Sequence, residues 1–512
     1  MPGRLNLSVR AIGRGSGGRT SPAPRAPNLD AIPAGRGRPA YRALCAAGLV
    51  LFGAVSAAAR PPNVIVIVSD DHGWADLACQ GPRRDVRTPH LDALAADGVR
   101  FAKGYVSAPV CVPSRAGLVT GRYQTRFGIE SNDDGPLPAA ERTLGDRLRA
   151  AGYATGLVGK WHLAGSREAT AALKRTPGAA RDVIWGDNVG VTDANLPGRR
   201  GFDAYFCGAM RNFAASFDLA GRPLEGAPVL VRESRFRVEV QTDAALAYLR
   251  QQDPGTRPFF LYLAYFAPHV PLEAPEPWLA RFAEVSDPVR RTGLAMIAAV
   301  DDGVGRLRSL LRERGWEKDT LLFFVGDNGA PTKPGMWDGS LNEPLVGEKG
   351  LLLDGGIRVP FLACWPGTLP AGRVYEHPVS SLDITATALG AAGVALRPEW
   401  KLDGVDLTPF LTGRRRGAPH DALFWRFRSQ AAVLADPWKL IFVAPDRWQL
   451  FDRRDPAGET RDVAAQHPEV VARLRAKLEA WCAEQSPAGL PRRADAADAE
   501  YLDRHGPAAV TR

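Results

Sequence analysis

Closely spaced cysteines are missing from this sequence. Its six cysteines, Cys45, Cys79, Cys111, Cys207, Cys364 and Cys482, lie far apart along 512 residues. That spacing excludes both a small disulfide-stapled scaffold and a zinc site built from C-x-x-C pairs. For Cys79, Cys207, Cys364 and Cys482 it specifies no pairing, and a buried thiol is the plain expectation. A body-wide charge surplus is missing too. The formal net charge is +9, but residues 1–60 hold nine Arg, no Lys and one Asp, which is +8. The other 452 residues carry 56 basic and 55 acidic side chains. A near-neutral body removes the main electrostatic argument for nucleic acid as a partner. There is no internal repeat, and no long low-complexity tract after residue 60.

What is present begins with an Arg, Gly and Pro-rich leader to Arg42, then an apolar run over residues 43–59, then Arg60-Pro61-Pro62. That order is a charged region, a hydrophobic region and a small-residue cleavage site, as in a secretory signal peptide. The run is short and Ala-rich for a transmembrane helix, so export with cleavage near residue 60 is expected and stable membrane insertion is not. The expected destination is periplasmic or extracellular. The leader is unusually long, which leaves the true translation start open.

From Asn63 on, β-branched or aromatic runs alternate with helix-like segments. The strand candidates are VIVIV (64–68), ATGLVG (154–159), FFLYLAYF (259–266), TLLFFVG (320–326) and VPFLACW (359–365). Helical patterns fill 89–99, 142–152 and 242–252. Continuous apolar strands alternating with helices predict an α/β fold with a large, mainly parallel sheet flanked by helices. Ligands then collect at the carboxyl ends of the strands. After residue 396 the texture changes to short strands at 431–435, 438–443 and 448–452, with a turn at Asp436-Pro437 and a helix at 467–484. The expected organisation is a leader at 1–60, a catalytic domain at 61–395, a small α+β subdomain with an antiparallel sheet at 396–485, and a tail at 486–512 whose composition suits disorder.

Chemistry-bearing residues follow these strands. The first ends in Asp70-Asp71, two adjacent carboxylates that are costly together unless a positive charge lies between them. TLLFFVG ends in Asp327-Asn328-Gly329, hard oxygen donors beside a residue that permits close backbone approach. The two clusters together suggest one Ca²⁺ or Mg²⁺ site. Between them lies Cys111-Val112-Pro113-Ser114-Arg115, preceding a helix predicted over 114–120, which would set the thiol at a positive helix end.

Cys-x-Pro-Ser-Arg with Thr120-Gly121-Arg122 downstream resembles the signature of the formylglycine-dependent sulfatases, of the arylsulfatase and galactosamine sulfatase kind, in the alkaline phosphatase superfamily. Further similar segments follow in order: Gly159-Lys160-Trp161-His162, Ala267-Pro268-His269-Val270-Pro271, and Gly347-Glu348-Lys349-Gly350 leading to Gly355-Gly356-Ile357-Arg358. The resemblance covers roughly residues 63–460. It implies an alkaline phosphatase-like sandwich and conversion of Cys111 to formylglycine (3-oxoalanine) by a generating enzyme. It implies Asp70, Asp71, Asp327 and Asn328, with position 111, as ligands of Ca²⁺, or of Mg²⁺ in its place. It assigns catalysis to Cys111, Arg115, Lys160, His162, His269 and Lys349, with Lys160, His269 and Lys349 holding the sulfate. The implied substrate is a sulfated sugar or aryl sulfate. A phosphomonoester or phosphonate monoester hydrolase of the same superfamily and a non-catalytic glycan binder are the alternatives. Trp185, Trp337 and Trp425 are candidates for stacking on sugar rings, against a packing role for each. Ala164, Gly326 and Leu353-Asp354 depart from the family's commoner residues and bear on substrate contacts rather than chemistry.

Overall fold

The computed structural model describes residues 60–165, 195–456, 458–496 and 498; the leader to residue 59 and Trp185 lie outside them. Strand VIVIV shows how the sequence makes the layers. Side chains alternate across a strand, so Val64, Val66 and Val68 enter one core while Ile65 and Ile67 enter the other. All five are fully buried, each contributing roughly 1.5–3 kcal/mol of hydrophobic stabilisation.

This strand, β1 (Asn63–Asp70), lies inside a ten-stranded sheet, while β3 (Gly104–Tyr105) and β12 (Val379–Ser380) form a separate parallel pair. In spatial order its members are β11 (Arg373–Tyr375), β2 (Val99–Phe101), β10 (Phe361–Cys364), β9 (Thr320–Gly326), β1, β8 (Phe259–Pro268), β4 (Ala154–Gly159), β5 (Ala204–Cys207), β6 (Asn212–Ala215) and β7 (Val229–Arg232). The central block β9-β1-β8-β4-β5 is parallel. Strands β10 and β6 flank it and run antiparallel to it, and β7 at the edge pairs antiparallel with β6. The run VPFLACW is therefore a shorter strand than expected, paired antiparallel to β9.

Helices Pro89–Ala96, Arg237–Arg250 and Pro288–Glu313 cover the face of Ile65 and Ile67. Helices Cys111–Thr120, Leu144–Ala150 and Leu382–Ala391 cover the other. The alkaline phosphatase-like sandwich is thus built, with a mixed rather than uniformly parallel sheet. Among the described residues no helix is long and apolar enough to cross a membrane.

The C-terminal region forms a separate antiparallel sheet of β13 (Leu423–Phe427), β14 (Gln430–Ala435), β15 (Trp438–Val443) and β16 (Arg447–Asp452). Helix Pro468–Ala483 packs Leu474, Leu478 and Trp481 on one face of it. Its other face, with Trp425, Leu434 and Ile441, joins the core of the large sheet. Sequence patterning missed β13. Pro487, Gly489 and Asp498 are tied to this sheet. Arg426 donates to the carbonyls of Pro487 (2.6 Å) and Gly489 (2.8 Å), and Ser429 Oγ donates to Asp498 (2.7 Å). Cys79, Cys111, Cys364 and Cys482 are free thiols.

Candidate active site

Strands β9, β1, β8 and β4 are parallel neighbours, so the polar residues that follow them meet at one edge of the sheet. Asp327 and Asn328 follow β9, Asp71 follows Asp70 at the end of β1, His269 follows β8, and Lys160 with His162 follows β4. Segments some two hundred residues apart in sequence are thereby brought within hydrogen-bonding distance.

The helix over the site begins at Cys111 itself, three residues before the predicted start. Pro113 is accommodated in its first turn because the leading N–H groups of a helix have no intrahelical partner. Val110 precedes it in extended conformation, and Asn132 Oδ1 accepts from Val112 N at 2.9 Å, satisfying one of those free donors. All ten helix residues are buried. Cys111 therefore sits at the helix N-terminus, where the backbone dipole is positive. Its Sγ lies 3.4 Å from Asp70 Oδ1.

Three carboxylates and three cations surround that position. Arg115 Nε donates to Asp327 Oδ2 at 3.0 Å, and its Nη2 reaches Asp70 Oδ2 at 3.2 Å and Asp327 Oδ2 at 2.8 Å. Its Nη1 donates to the Lys160 carbonyl at 3.1 Å. Lys160 Nζ contacts Asp70 Oδ2 at 2.6 Å, and Lys349 Nζ contacts Asp71 at 2.6 and 2.7 Å. Burial opposes the charged form of Asp70, yet Lys160, His269, Arg115 and Lys349 together hold its carboxyl well below the usual range. Burial likewise opposes the charge on Lys349, but Asp71 keeps its ammonium well above the ordinary lysine value. Burial, followed by Asp70, raises Asp327 to about 6.

Backbone geometry makes this convergence possible. Asp71 and His162 both adopt positive φ, 61° and 59°, conformations that cost non-glycine residues energy and need outside support. Asp71 receives it from Asp327 Oδ1, which accepts from Asp71 N at 3.1 Å, and from Asn328 Nδ2, which donates to Asp71 Oδ1 at 2.6 Å. Gly329 admits the closest approach: a Cβ there would stand 1.8 Å from the Gly355 carbonyl oxygen.

The two histidines differ in surroundings. His269 stacks on Phe266 at 4.7 Å, its Nδ1 lies 2.6 Å from the Val270 carbonyl, and its Nε2 faces Asp71 Oδ2 at 3.6 Å. The carbonyl contact assigns the Nδ1 proton and leaves Nε2 turned to the site. Burial, against the opposing charge of Asp71, pushes His269 down to about 4. Burial, then Lys160 and Arg115, holds His162 well below its ordinary value.

The donor set fits a hard divalent cation. Ligand atoms of Asp70, Asp71, Cys111 and His269 all lie within 4.8 Å of one another. Asn328 Nδ2 is committed to Asp71 and to the Gly329 carbonyl, while its Oδ1 is buried without a hydrogen-bond partner. An orphaned amide oxygen beside carboxylates is a ligand position suited to Ca²⁺ or Mg²⁺. Charge balance points the same way. Asp70, Asp71 and Asp327 offset Arg115, Lys160 and Lys349, so a divalent cation would leave the pocket net positive and suited to an anion.

Several supporting residues were not found by sequence reasoning. Asn342 Oδ1 accepts from Ala330 N (2.8 Å), and its Nδ2 donates to the carbonyls of Ala330 (2.9 Å) and Gly347 (3.2 Å). It ties the loop after Asn328 to the loop bearing Lys349. Asp76 accepts from Arg290 Nη1, Ser340 Oγ and Leu341 N, holding the 340–342 segment against β1's exit. The Asn342→Ala variant is expected to lower kcat/KM about tenfold and depress Tm by several degrees, because buried backbone groups left unpaired cost about 1–3 kcal/mol each. Calorimetry and steady-state kinetics check this; wild-type values in both would show that other contacts hold the loops.

The tryptophan candidates separate. Trp425 is buried, donating its Nε1 proton to the Val106 carbonyl at 2.7 Å, and is a core residue. Trp337 is half-buried and donates to the Ser340 carbonyl at 2.7 Å. Asp354, where the family commonly differs, is a buried structural anchor: Lys439 Nζ contacts it at 2.9 Å, and Arg453 also pairs with it.

A buried thiol at a helix N-terminus, ringed by carboxylates, lysines and histidines beside the ends of parallel strands, makes a candidate pocket for an anionic ester. Residues 62–394 match the family described as Sulfatase, and residues 346–484 match N-sulphoglucosamine sulphohydrolase, C-terminal. N-acetylgalactosamine-6-sulfatase of Canis lupus familiaris is 32% identical over 438 residues, covering 80% of this chain and 76% of its own. The crystal structure of Ps i-CgsB in complex with k-i-k-neocarrahexaose is similar at 30% identity and TM-score 0.70, over 86% of this chain and 97% of that one. Phosphonate monoester hydrolase of Agrobacterium radiobacter, at 23% identity and TM-score 0.59 over 84% of this chain and all of that one, shares the fold. The chain belongs to the sulfatase family. It is a sulfuric ester hydrolase.

Proposed function

We propose that the protein hydrolyses sulfate esters on a carbohydrate, using formylglycine made from Cys111 and a bound divalent cation, with Ca²⁺ favoured. The observation that supports this most is the placement of Cys111 at a buried helix N-terminus, 3.4 Å from Asp70 and within one shell of Arg115, Lys160 and Lys349. The relative named N-acetylgalactosamine-6-sulfatase and the structure holding k-i-k-neocarrahexaose support a sugar substrate.

The hydrated aldehyde would supply two geminal hydroxyls, one to attack sulfur and one to release sulfate afterwards, and the cation would supply positive charge to the sulfate oxygens. Asp70, Asp71, Asp327 and the free Oδ1 of Asn328 would hold the cation. Lys160 and Lys349, which contact Asp70 and Asp71, bind the sulfate oxygens as charge develops there. Arg115, anchored by two carboxylates and the Lys160 carbonyl, orients residue 111. His269 serves the leaving oxygen through Nε2. In the free enzyme burial keeps this nitrogen unprotonated at neutral pH, and the negative charge of the substrate favours its protonation. Lys349 remains charged beside it. His162, held neutral by burial and adjacent cations, accepts the proton whose loss releases sulfate.

Export after cleavage near residue 60 belongs to the same proposal, as does an upstream formylglycine-generating enzyme. Rates on nitrophenyl sulfate and nitrophenyl phosphate, side by side, test the reaction class; sulfate turnover is expected to exceed phosphate turnover by at least about 100-fold. A reversed preference would transfer the site to phosphoester chemistry. Sulfate release from a panel of sulfated glycans, with the desulfated position located by NMR, then identifies the substrate.

A further inference from the structure

An arginine-rich surface lies at the opposite end of strand β4 from Lys160. Strand β4 leads to Lys160 at its carboxyl end, whereas helix Leu144–Ala150 delivers the chain to its beginning. Six extended residues separate the two by about 20 Å. Beside that helix is a cavity of about 710 Å³ lined by Arg142, Arg147, Arg149, Arg397, Trp400 and Asp146 among others.

The charges there are unevenly committed. Asp146 accepts from Thr143 N at 2.9 Å and from its Oγ1 at 3.2 Å in a capping box, and Arg149 pairs with Asp203 at 2.8 Å. Among the described residues no carboxylate pairs with Arg142 or Arg147. Arg397 approaches only Glu399, at 4.0 Å, with both side chains 65% exposed. The Arg147 guanidinium lies 4.4 Å from the centre of the Trp400 ring and that of Arg397 5.7 Å, so one indole carries two cations. Arg147 Nε is buried without a hydrogen-bond partner. Guanidinium groups that no carboxylate neutralises attract an anion and can meet it with charge-assisted hydrogen bonds. Guanidinium forks gathered at one indole are suited to the anionic substituents of a sugar, because each fork offers bidentate hydrogen bonds and the ring holds the forks in place.

We propose that Arg142, Arg147 and Arg397 around Trp400 form a secondary binding site for a sulfated oligosaccharide segment, which holds the enzyme on a polymeric substrate while another segment is processed. The substrate class rests on the carbohydrate-sulfate reading above; the binding itself does not. A site of this kind raises the effective concentration of ester groups at the catalytic edge without touching them.

The test uses the full-length protein, wild type and an Arg142→Gln/Arg397→Gln double variant that leaves Arg147 stacked on Trp400. Dextran sulfate oligosaccharide binding is measured by calorimetry, with uncharged dextran and inorganic sulfate as comparators. The expected result is about tenfold or greater loss of dextran sulfate affinity in the variant, given the strength of charge-assisted hydrogen bonds. KM for a sulfated polymer should rise similarly, with kinetics on a small aryl sulfate and Tm unchanged. Equal affinity of wild type and variant for dextran sulfate would overturn the proposal. So would inorganic sulfate competing as well as the oligosaccharide at equal sulfate concentration, or an equal response to uncharged dextran. Because the binding arm needs no turnover, a protein inert on every sulfate ester would refute the catalytic reading and leave this one standing or falling on affinity alone.

Discussion

Cys111→Ala protein is expected to show no measurable sulfate ester hydrolysis, a loss of at least about 10⁴-fold, with its fold intact. Cys111 lies at the helix N-terminus with its side chain against Asp70, and alanine fills that position without disturbing the helix. The loss follows from removing the group that attacks sulfur, and the unmodified thiol is no substitute for it. Burial, with Asp327 and Asp70 next, raises the thiol well above its ordinary value, so an unmodified cysteine stays protonated and is a poor nucleophile. The same reasoning makes the unprocessed wild-type chain nearly inert. Formylglycine is about 18 Da lighter than cysteine because an aldehyde replaces the thiol, so peptide mass spectrometry on active protein reads the modification directly. Cys111→Ser is expected to react once and stop, since a single hydroxyl provides attack but not release. Full activity in Cys111→Ala, or an unmodified thiol at position 111 in fully active protein, would falsify the mechanism.

Removal of the cation should be nearly as damaging. Chelation of the wild-type enzyme is expected to abolish turnover, and added Ca²⁺ to restore it. Two neighbouring variants separate metal binding from scaffolding. Asp327→Asn removes a charge that Arg115 meets at 2.8 and 3.0 Å. Breaking such a buried pair costs about 3–5 kcal/mol, so both Tm and metal content should fall, with activity down about 10³-fold or more. Asn328→Ala removes the orphaned Oδ1 and an amide that supports Asp71. It changes no charge, so Ca²⁺ affinity should drop about 10- to 100-fold while metal-free Tm shifts far less than in Asp327→Asn. Calorimetric Ca²⁺ titration and metal analysis provide the readouts. Unchanged Ca²⁺ affinity in both variants would remove these residues from the ligand set.

Much of this site was legible because most of its residues follow a recognisable strand or begin a helix, Lys349 in the loop after β9 being the exception. Continuous apolar runs such as VIVIV and TLLFFVG reveal buried strands through burial on both faces, and the polar residue ending each run is then exceptional in its own neighbourhood. Asp70 and Asp327 were found that way, whereas Lys160 and His269 came from the resemblance that begins at Cys-x-Pro-Ser-Arg. The supporting shell was not legible. Asn342, Asp76, Ser340 and Arg290 act through partners 5 to 265 residues distant in sequence, and no local periodicity marks a loop asparagine that ties two backbones together. Helix Cys111–Thr120 was predicted to begin at Ser114, because Pro113 reads as a boundary when its place in the first turn is unknown. The tryptophans were ambiguous for a related reason. Composition cannot tell a ring that packs in a core, as Trp425 does, from one that meets a ligand.

The sequence by itself determined the chemical inventory around Cys111: its helix-start motif, and the order in which carboxylates, lysines, histidines and an asparagine follow the strands. Those are local properties, set by hydrophobic periodicity and residue type. Only the tertiary structure decided that β9, β1, β8 and β4 stand side by side, that three carboxylates balance three cations around residue 111, and that Asn328 keeps one oxygen free. Strand order and charge balance arise from contacts between distant segments, whose free energy is realised only when the two cores close around the sheet.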